Sequence, residues 1–141
     1  MKKIIFTLSA IFASSIALAD AKVIVTDIAT KGGSSFSMDI VSQENFKGFQ
    51  FDIDVAGIEK LDLSACTSRL PSSLTVSCKR IPGDKIRVLA VDISAVGTDV
   101  KAGSVAVGVV QYSGSPSLQV SNVVFADKAG EELVSSAVTS K

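Results

Sequence analysis

The chain has no histidine and no tryptophan, and Tyr112 is its single tyrosine. Without an imidazole, neither a Ser-His nor a Cys-His catalytic arrangement can form, and no G-x-S-x-G turn is present to hold a nucleophilic serine. Exposed aromatic rings are the usual platform for stacking on sugars, and few aromatic residues are available here. These absences exclude histidine-dependent catalysis and argue against an aromatic sugar-binding platform.

The chain also lacks an excess of charge of either sign. It has 14 Lys and Arg and 14 Asp and Glu, which gives a formal net charge of zero. Nucleic-acid-binding domains concentrate their Lys and Arg in a patch or stripe, whereas the charges here are scattered along the chain. We therefore exclude nucleic acid as a partner.

A long hydrophobic run occurs only once, at the start of the chain. Two lysines precede the uncharged residues 4–18, and small residues then follow in the A-x-A arrangement of a signal-peptidase site. The run is shorter than the roughly 20 apolar residues of a membrane span. Two cuts fit this pattern, one after Ala19 and one after Ala21. We predict a cleaved bacterial signal peptide at residues 1–21 and a mature protein that is periplasmic or extracellular and has no membrane anchor.

Residues 22–141 have the length of one domain. Short runs in which apolar and polar residues alternate are separated by turn signals, and no segment keeps a helical period. Eight or nine such runs at intervals of about 8–12 residues predict an all-β domain of antiparallel strands, either a sandwich or a barrel.

The alternation is clearest in the segment Gly48–Val55. The apolar members, which we expect to face a core, are Phe49, Phe51, Ile53 and Val55, and the polar members, which we expect to face water or a partner, are Gln50, Asp52 and Asp54. Asp52 and Asp54 would lie about 7 Å apart on one face, and paired carboxylates can hydrolyse glycosides. Because no aromatic residue shelters them, we interpret the pair as a solvated strand face and predict no catalytic residue.

Three further expectations concern the arrangement of strands. The runs Ser34–Ser42 and Gly48–Val55, with a short connection between them, predict a hairpin. The run Lys85–Ile93 is apolar at both odd and even positions, which predicts a central strand covered on both faces. Leu133 and Val134 predict a short last strand that closes the sheet.

Cys66 and Cys78 are the only cysteines, with eleven residues between them. In an oxidising compartment such a pair is most simply a disulfide, and closing its loop contributes about 3 kcal/mol to stability. A redox pair or a zinc site is disfavoured because there is no C-x-x-C spacing and no histidine.

A calcium site is the remaining alternative for the acidic residues. Asp52, Asp54, Asp92 and Asp127 could supply oxygen ligands, but their spacing matches no calcium-binding loop. We predict no metal site and no cofactor.

Three blocks of the sequence resemble the cohesin domain, the receptor module of cellulosome-type assemblies within a superfamily of carbohydrate-binding-module-like sandwiches. Residues 47–55 resemble the early strand of that family (G-F-x-F), and residues 83–91 resemble its central strand (G-x-I-R-V-x-A). The third block consists of residues 102–107 and 121–130, which resemble a later strand and the closing segment. The chain departs from the family where Val55-Ala56 stands in place of a Tyr-Asp pair, and a disulfide is not a usual cohesin feature.

The resemblance implies an antiparallel β-sandwich of jelly-roll type, Ig-like in appearance. It also implies a module that performs no reaction and binds a protein, dockerin-like or another extracellular partner, through one sheet face. That face includes the strands of the first two blocks. The contacts that it implies, provided that their side chains face outward, are Gln50, Asp52, Asp54, Arg87 and Asp92.

Two other functions remain open at this point. One is a carbohydrate-binding module associated with polysaccharide degradation, which would bind a glycan and which the scarcity of aromatic residues opposes. The other is a fimbrial or pilus subunit assembled by strand donation. Against that function, the two cysteines are close together and the segment 138–141 lacks an aromatic-terminated strand.

Overall fold

A computed structural model describes residues 20–30, 33–93, 100–127 and 129–140. Within these ranges the chain forms no helix and nine strands: β1 (Ala21–Thr30), β2 (Gly33–Ser42), β3 (Phe46–Asp54), β4 (Ile58–Asp62), β5 (Thr75–Ile81), β6 (Lys85–Val91), β7 (Gly103–Gly114), β8 (Gln119–Asp127) and β9 (Ser135–Ser140). The predicted number of strands is confirmed. In the described ranges, no helix has the length and hydrophobicity needed to cross a membrane.

The strands form two sheets. One sheet has four antiparallel strands in the order β8-β3-β6-β5, and the other has five strands in the order β9-β1-β2-β7-β4. All pairs are antiparallel except β9 with β1, which is parallel. The all-β sandwich is therefore confirmed.

The core between the sheets is built around a cluster of phenylalanine rings. The ring centroids of Phe46 and Phe125 are 5.4 Å apart, and those of Phe49 and Phe51 are 5.7 Å apart. The four alternate residues from Phe49 to Val55 that were predicted to face the core are at most 3% exposed. The inward face of β3 is therefore confirmed, and burial of such large side chains is the main source of stability.

The predicted hairpin between Ser34–Ser42 and Gly48–Val55 is wrong. These runs correspond to β2 and β3, which belong to different sheets. The hairpin is instead β1–β2, in which Thr30 lies opposite Gly33. Alternation indicates which side of a strand meets the core, but it does not specify the neighbouring strand.

The predictions for the run Lys85–Ile93 and for the last strand are partly confirmed. β6 is central, between β3 and β5, but only one of its faces is buried, and Leu89 on the other face is 38% exposed. The last strand, β9, begins after Leu133 and Val134. Leu133 is buried in the core, and its N–H donates to the carbonyl of Phe125 at 2.9 Å, whereas Val134 is 64% exposed.

The disulfide between Cys66 and Cys78 is confirmed, with an S–S distance of 2.02 Å. Cys66 lies in the connection 63–74, and Cys78 lies on the edge strand β5. The connection packs on β7, where the N–H of Val109 donates to the carbonyl of Ala65 at 3.1 Å. The disulfide therefore links a segment held by the five-stranded sheet to the edge of the four-stranded sheet.

Candidate functional site

The candidate site is the outer face of the four-stranded sheet, the side turned away from the core. Across its two central strands, Gln50 pairs with Leu89, Asp52 with Arg87, and Asp54 with Lys85. On the edge strands, Val124 and Ser121 lie beside Gln50 and Asp52, and Ser77 and Lys79 lie beside Leu89 and Arg87. The period of two along β3, β5 and β6, together with a bulge between Ser121 and Val124 on β8, places all of these residues on one face.

Asp52 is the centre of a hydrogen-bond network on this face. Arg87 donates from Nε to Oδ1 of Asp52 at 2.8 Å and from Nη2 to Oδ2 at 3.0 Å. Asn122 adds a third bond, from Nδ2 to Oδ2 of Asp52 at 2.8 Å. Such bidentate, charge-assisted pairs are stronger than neutral hydrogen bonds and fix the plane of the guanidinium. The network covers Asp52 so well that its exposure is 0%, although it lies on the outer side of the sheet.

Asn122 reaches Asp52 because β8 contains a bulge. Between the pairs formed by Ser121 and Val124, β8 has two residues where β3 has one. Asn122 takes the left-handed backbone conformation, with φ at 52°, which asparagine tolerates better than most other residues. The bulge thus turns the Asn122 amide toward the centre of the sheet, a common use of bulges next to functional sites.

The network keeps both members of the ion pair charged. The hydrogen bond from Arg87 lowers the pKa of Asp52, and it outweighs desolvation, which acts in the opposite direction. The bond from Asn122 lowers the pKa of Asp52 further. The pKa of Arg87 is raised, first by the same hydrogen bond with Asp52. Asp52 is therefore a carboxylate at neutral pH and cannot act as a general acid there.

The side chain of Arg87 is partly open to solvent, and Asn122 is exposed as well. The Arg87 side chain is 42% exposed, whereas that of Asp52 is 1% exposed. Leu89 and Val124 flank Gln50 in the next row of the face, with exposures of 38% and 41%. The outer face thus combines an oriented cation with two exposed aliphatic side chains in the adjoining row.

The five residues implied by the cohesin resemblance do not all lie on this surface. Gln50, Asp54 and Arg87 are half-buried on the outer face, and Asp54 also accepts the N–H of Ala56 at 3.0 Å. Asp52 lies on the outer face but is 0% exposed beneath its hydrogen-bond partners, and Asp92 is 4% exposed, so neither side chain is accessible at the surface.

Sequence reasoning missed Asn122, Leu89 and Val124. Leu89 was assigned to a covered face because the run around it is apolar at consecutive positions. Val124 and Asn122 depend on the bulge, which changes which residue of β8 points inward: Val123 packs against the core, and Val124 is exposed. An asparagine inside a valine-rich strand was the only signal of the bulge in the sequence.

The described residues offer neither a metal site nor an aromatic platform. No group of three or more His, Cys, Asp or Glu in these ranges could hold a metal ion. The phenylalanines of the described part are all buried, and they are Phe36, Phe46, Phe49, Phe51 and Phe125. The ring of Tyr112 is half-buried, and its hydroxyl donates to Asp27 at 2.5 Å.

Comparison with known proteins identifies the fold. No protein-family model and no curated protein matches the chain. A chain of a type I cohesin–dockerin complex from Clostridium thermocellum superposes with a TM-score of 0.63, at 12% identity over 90% of this chain and 94% of that one. The chain has the cohesin fold.

Two further cohesins show how widely the likeness extends. A type II cohesin module from the ScaA scaffoldin of Acetivibrio cellulolyticus gives a TM-score of 0.57 at 11% identity, over 90% of this chain and 96% of that one. A non-cellulosomal cohesin from the archaeon Archaeoglobus fulgidus gives 0.53 at 12% identity, over 84% and 86% of the two chains. The resemblance found in the three sequence blocks is therefore confirmed at the level of the fold.

Proposed function

We propose that this protein is a secreted module that catalyses no reaction and binds another protein through the outer face of its four-stranded sheet. The observation that carries the proposal is the Asp52–Arg87–Asn122 network beside the exposed Leu89, on a cohesin fold. Secretion rests on the A-x-A pattern after the N-terminal apolar run.

The chemistry of this face suits a protein partner. Protein interfaces concentrate their binding energy in a few residues, often arginine, surrounded by apolar contacts that exclude water. Arg87 is held in one orientation by Asp52, so it loses less side-chain entropy on binding than a free arginine would. The open edge of its guanidinium can donate hydrogen bonds to a carboxylate or a main-chain carbonyl of the partner. Leu89 and Val124 can contact an apolar side chain next to that acceptor.

The partner we expect is an extracellular or periplasmic protein, of which a dockerin-like module is one form. One similar structure is a cohesin–dockerin complex, and another is described as non-cellulosomal. The family's Tyr-Asp pair is replaced here by Val55-Ala56, and Val55 is fully buried. These differences favour a partner that differs from cellulosomal dockerins.

The two alternative functions have less support. A glycan-binding module would need an exposed ring, and the rings of the described residues are buried or half-buried. A subunit completed by strand donation would need a vacant place in its sheet, whereas β9 pairs with β1 over Ser135–Ser140.

The test begins with capture of proteins from the native secretome by the immobilised exported protein. The captured protein is then purified and titrated against the wild type and against Arg87→Gln and Lys60→Gln, the second a matched charge removal on β4 of the other sheet. We expect Arg87→Gln to weaken binding at least tenfold and Lys60→Gln to leave it unchanged. Equal affinities for all three proteins, or specific binding on a glycan array with no captured protein, would refute the proposal.

A further inference from the structure

We propose that export cleaves the chain between Ala19 and Asp20, and that Asp20 and Ala21 are part of the folded sandwich. The sequence allows a cut at either of two positions, and the structure distinguishes their products. This inference concerns the maturation of the chain and does not depend on the proposed binding function.

Ala21 is a core residue. It is 1% exposed and begins β1, the strand that lies between β2 and β9. Its register partners are Ser42 on β2 and Ser135 on β9. A cut after Ala21 would remove this residue and leave a gap where three strands meet.

Asp20 joins three segments through its backbone. Its N–H donates to the carbonyl of Val134 at 2.8 Å, and the N–H of Ala21 donates to the same carbonyl at 3.1 Å. The carbonyl of Asp20 accepts the N–H of Gln43 at 2.7 Å, and the hydroxyl of Ser42 is 3.4 Å from it. Loss of Asp20 and Ala21 would leave the N–H of Gln43 and the carbonyl of Val134 without these partners, which is costly where water cannot replace them, whereas Ser42 would keep its bond to the carbonyl of Glu44.

The chemistry of cleavage preserves these bonds. A leader peptidase adds water across the Ala19–Asp20 peptide bond: the hydroxyl goes to the carbonyl carbon of Ala19, the C–N bond breaks, and the nitrogen of Asp20 leaves with the proton as an α-amino group. Once protonated, that amine still has hydrogens to donate to the carbonyl of Val134. Because the peptidase acts before the chain folds, the structure bears on which product can complete the fold and not on access to the bond.

The two cuts depend on different small residues. Ala17 and Ala19 occupy positions −3 and −1 of the cut after Ala19, whereas Ala19 and Ala21 occupy those positions for the cut after Ala21. A large charged side chain at position 17 therefore blocks only the first cut.

The direct test is to export the full chain in a bacterium and to read the N-terminus of the product by intact mass and by N-terminal sequencing. We expect the product to begin at Asp20, and Ala17→Glu to stop processing at that bond. A wild-type product that begins at Lys22, a product that retains the leader, or normal processing of Ala17→Glu would overturn the proposal.

The inclusion of Asp20 and Ala21 in the folded sandwich has a separate test. Two chains are released from a cleavable fusion, one beginning at Asp20 and one beginning at Lys22. We expect the second to melt at least about 5 °C lower, since a loss of about 1 kcal/mol shifts the melting temperature of a domain of this size by several degrees. A control with Asp20→Ala keeps the backbone bonds and should melt with the Asp20 chain. Equal melting of the chains that begin at Asp20 and at Lys22 would overturn this part.

Discussion

The two sheets of the sandwich have outer faces of different character. On the four-stranded sheet, Asp52, Arg87 and Asn122 from three different strands converge in one network. On the five-stranded sheet, the central strand β2 presents Asp39 and Val41, and among the described residues no hydrogen bond or ion pair joins side chains of different strands on that outer face. One face holds a buried carboxylate and an oriented cation, and the other is an ordinary half-exposed sheet surface.

This difference is the reason why we propose the four-stranded sheet as the binding face. Taking a carboxylate out of water is costly, and replacing a buried ion pair by apolar side chains is often neutral or stabilising. The Asp52–Arg87 pair is therefore weak evidence for stability. Its clearest consequence is that Arg87 is fixed on a surface where a partner can use it.

The largest expected effect concerns the close contact between the connection 63–74 and β7 of the five-stranded sheet. A Cβ added at Gly108 on β7 would lie 2.1 Å from the carbonyl oxygen of Cys66, a backbone atom that cannot move aside easily. We expect Gly108→Ala to lower the free energy of unfolding by about 3 kcal/mol through overpacking, measured by denaturant unfolding. Ser104→Ala, at an exposed position of the same strand, is the control and should change it by less than about 0.5 kcal/mol. A mild effect of Gly108→Ala would show that the connection 63–74 is not held tightly against β7.

The next effect compares the two outer faces directly. Asp52→Ala removes the acceptor shared by Arg87 and Asn122, and we expect it to lower the free energy of unfolding by about 2 kcal/mol. Asp39→Ala is the matched change on the other face and should stay within about 0.5 kcal/mol of the wild type. Equal losses from the two substitutions would remove the distinction between the faces.

A smaller effect is expected in the pH dependence of the stability that Asp52 contributes. The pKa of Asp52 is lowered in the folded state from its ordinary value of 3.8, so folding favours its charged form. The resulting stabilisation is fully present above about pH 4 to 5 and is lost as the pH falls through 3.8 toward the lower folded pKa. We expect the difference in the free energy of unfolding between the wild type and Asp52→Ala, measured by denaturant unfolding, to become smaller as the pH falls from 7 to 2.5. A difference that becomes larger as the pH falls would contradict the stabilisation of the Asp52 carboxylate by Arg87.

The fold was predictable from this sequence to the extent that local patterns determine it. The alternation from Phe49 to Val55 identified the core side of β3, and the exported context identified the Cys66–Cys78 bridge. The pairing of strands was harder to predict, because the alternation of Ser34–Ser42 is as compatible with β1 as a neighbour as it is with β3.

The site was harder to predict because it depends on long-range contacts. Asp52 was correctly placed on the outward side, but its burial depends on Arg87, 35 residues away, and on Asn122, 70 residues away. The bulge that turns Asn122 inward exists only in the register between β8 and β3. A strand pattern specifies the direction of a side chain and does not show what covers it.

The most direct test of the account measures partner affinity after matched substitutions on the two outer faces. Leu89 on β6 and Val41 on β2 are aliphatic residues of central strands with similar exposures, 38% and 41%. For the partner that the wild type captures, we predict that Leu89→Asp weakens binding at least tenfold and that Val41→Asp binds as the wild type does. The two variants should have the same melting temperature, so that the loss of binding cannot be ascribed to unfolding. Retained binding by Leu89→Asp together with lost binding by Val41→Asp would contradict the assignment of the binding face to the four-stranded sheet.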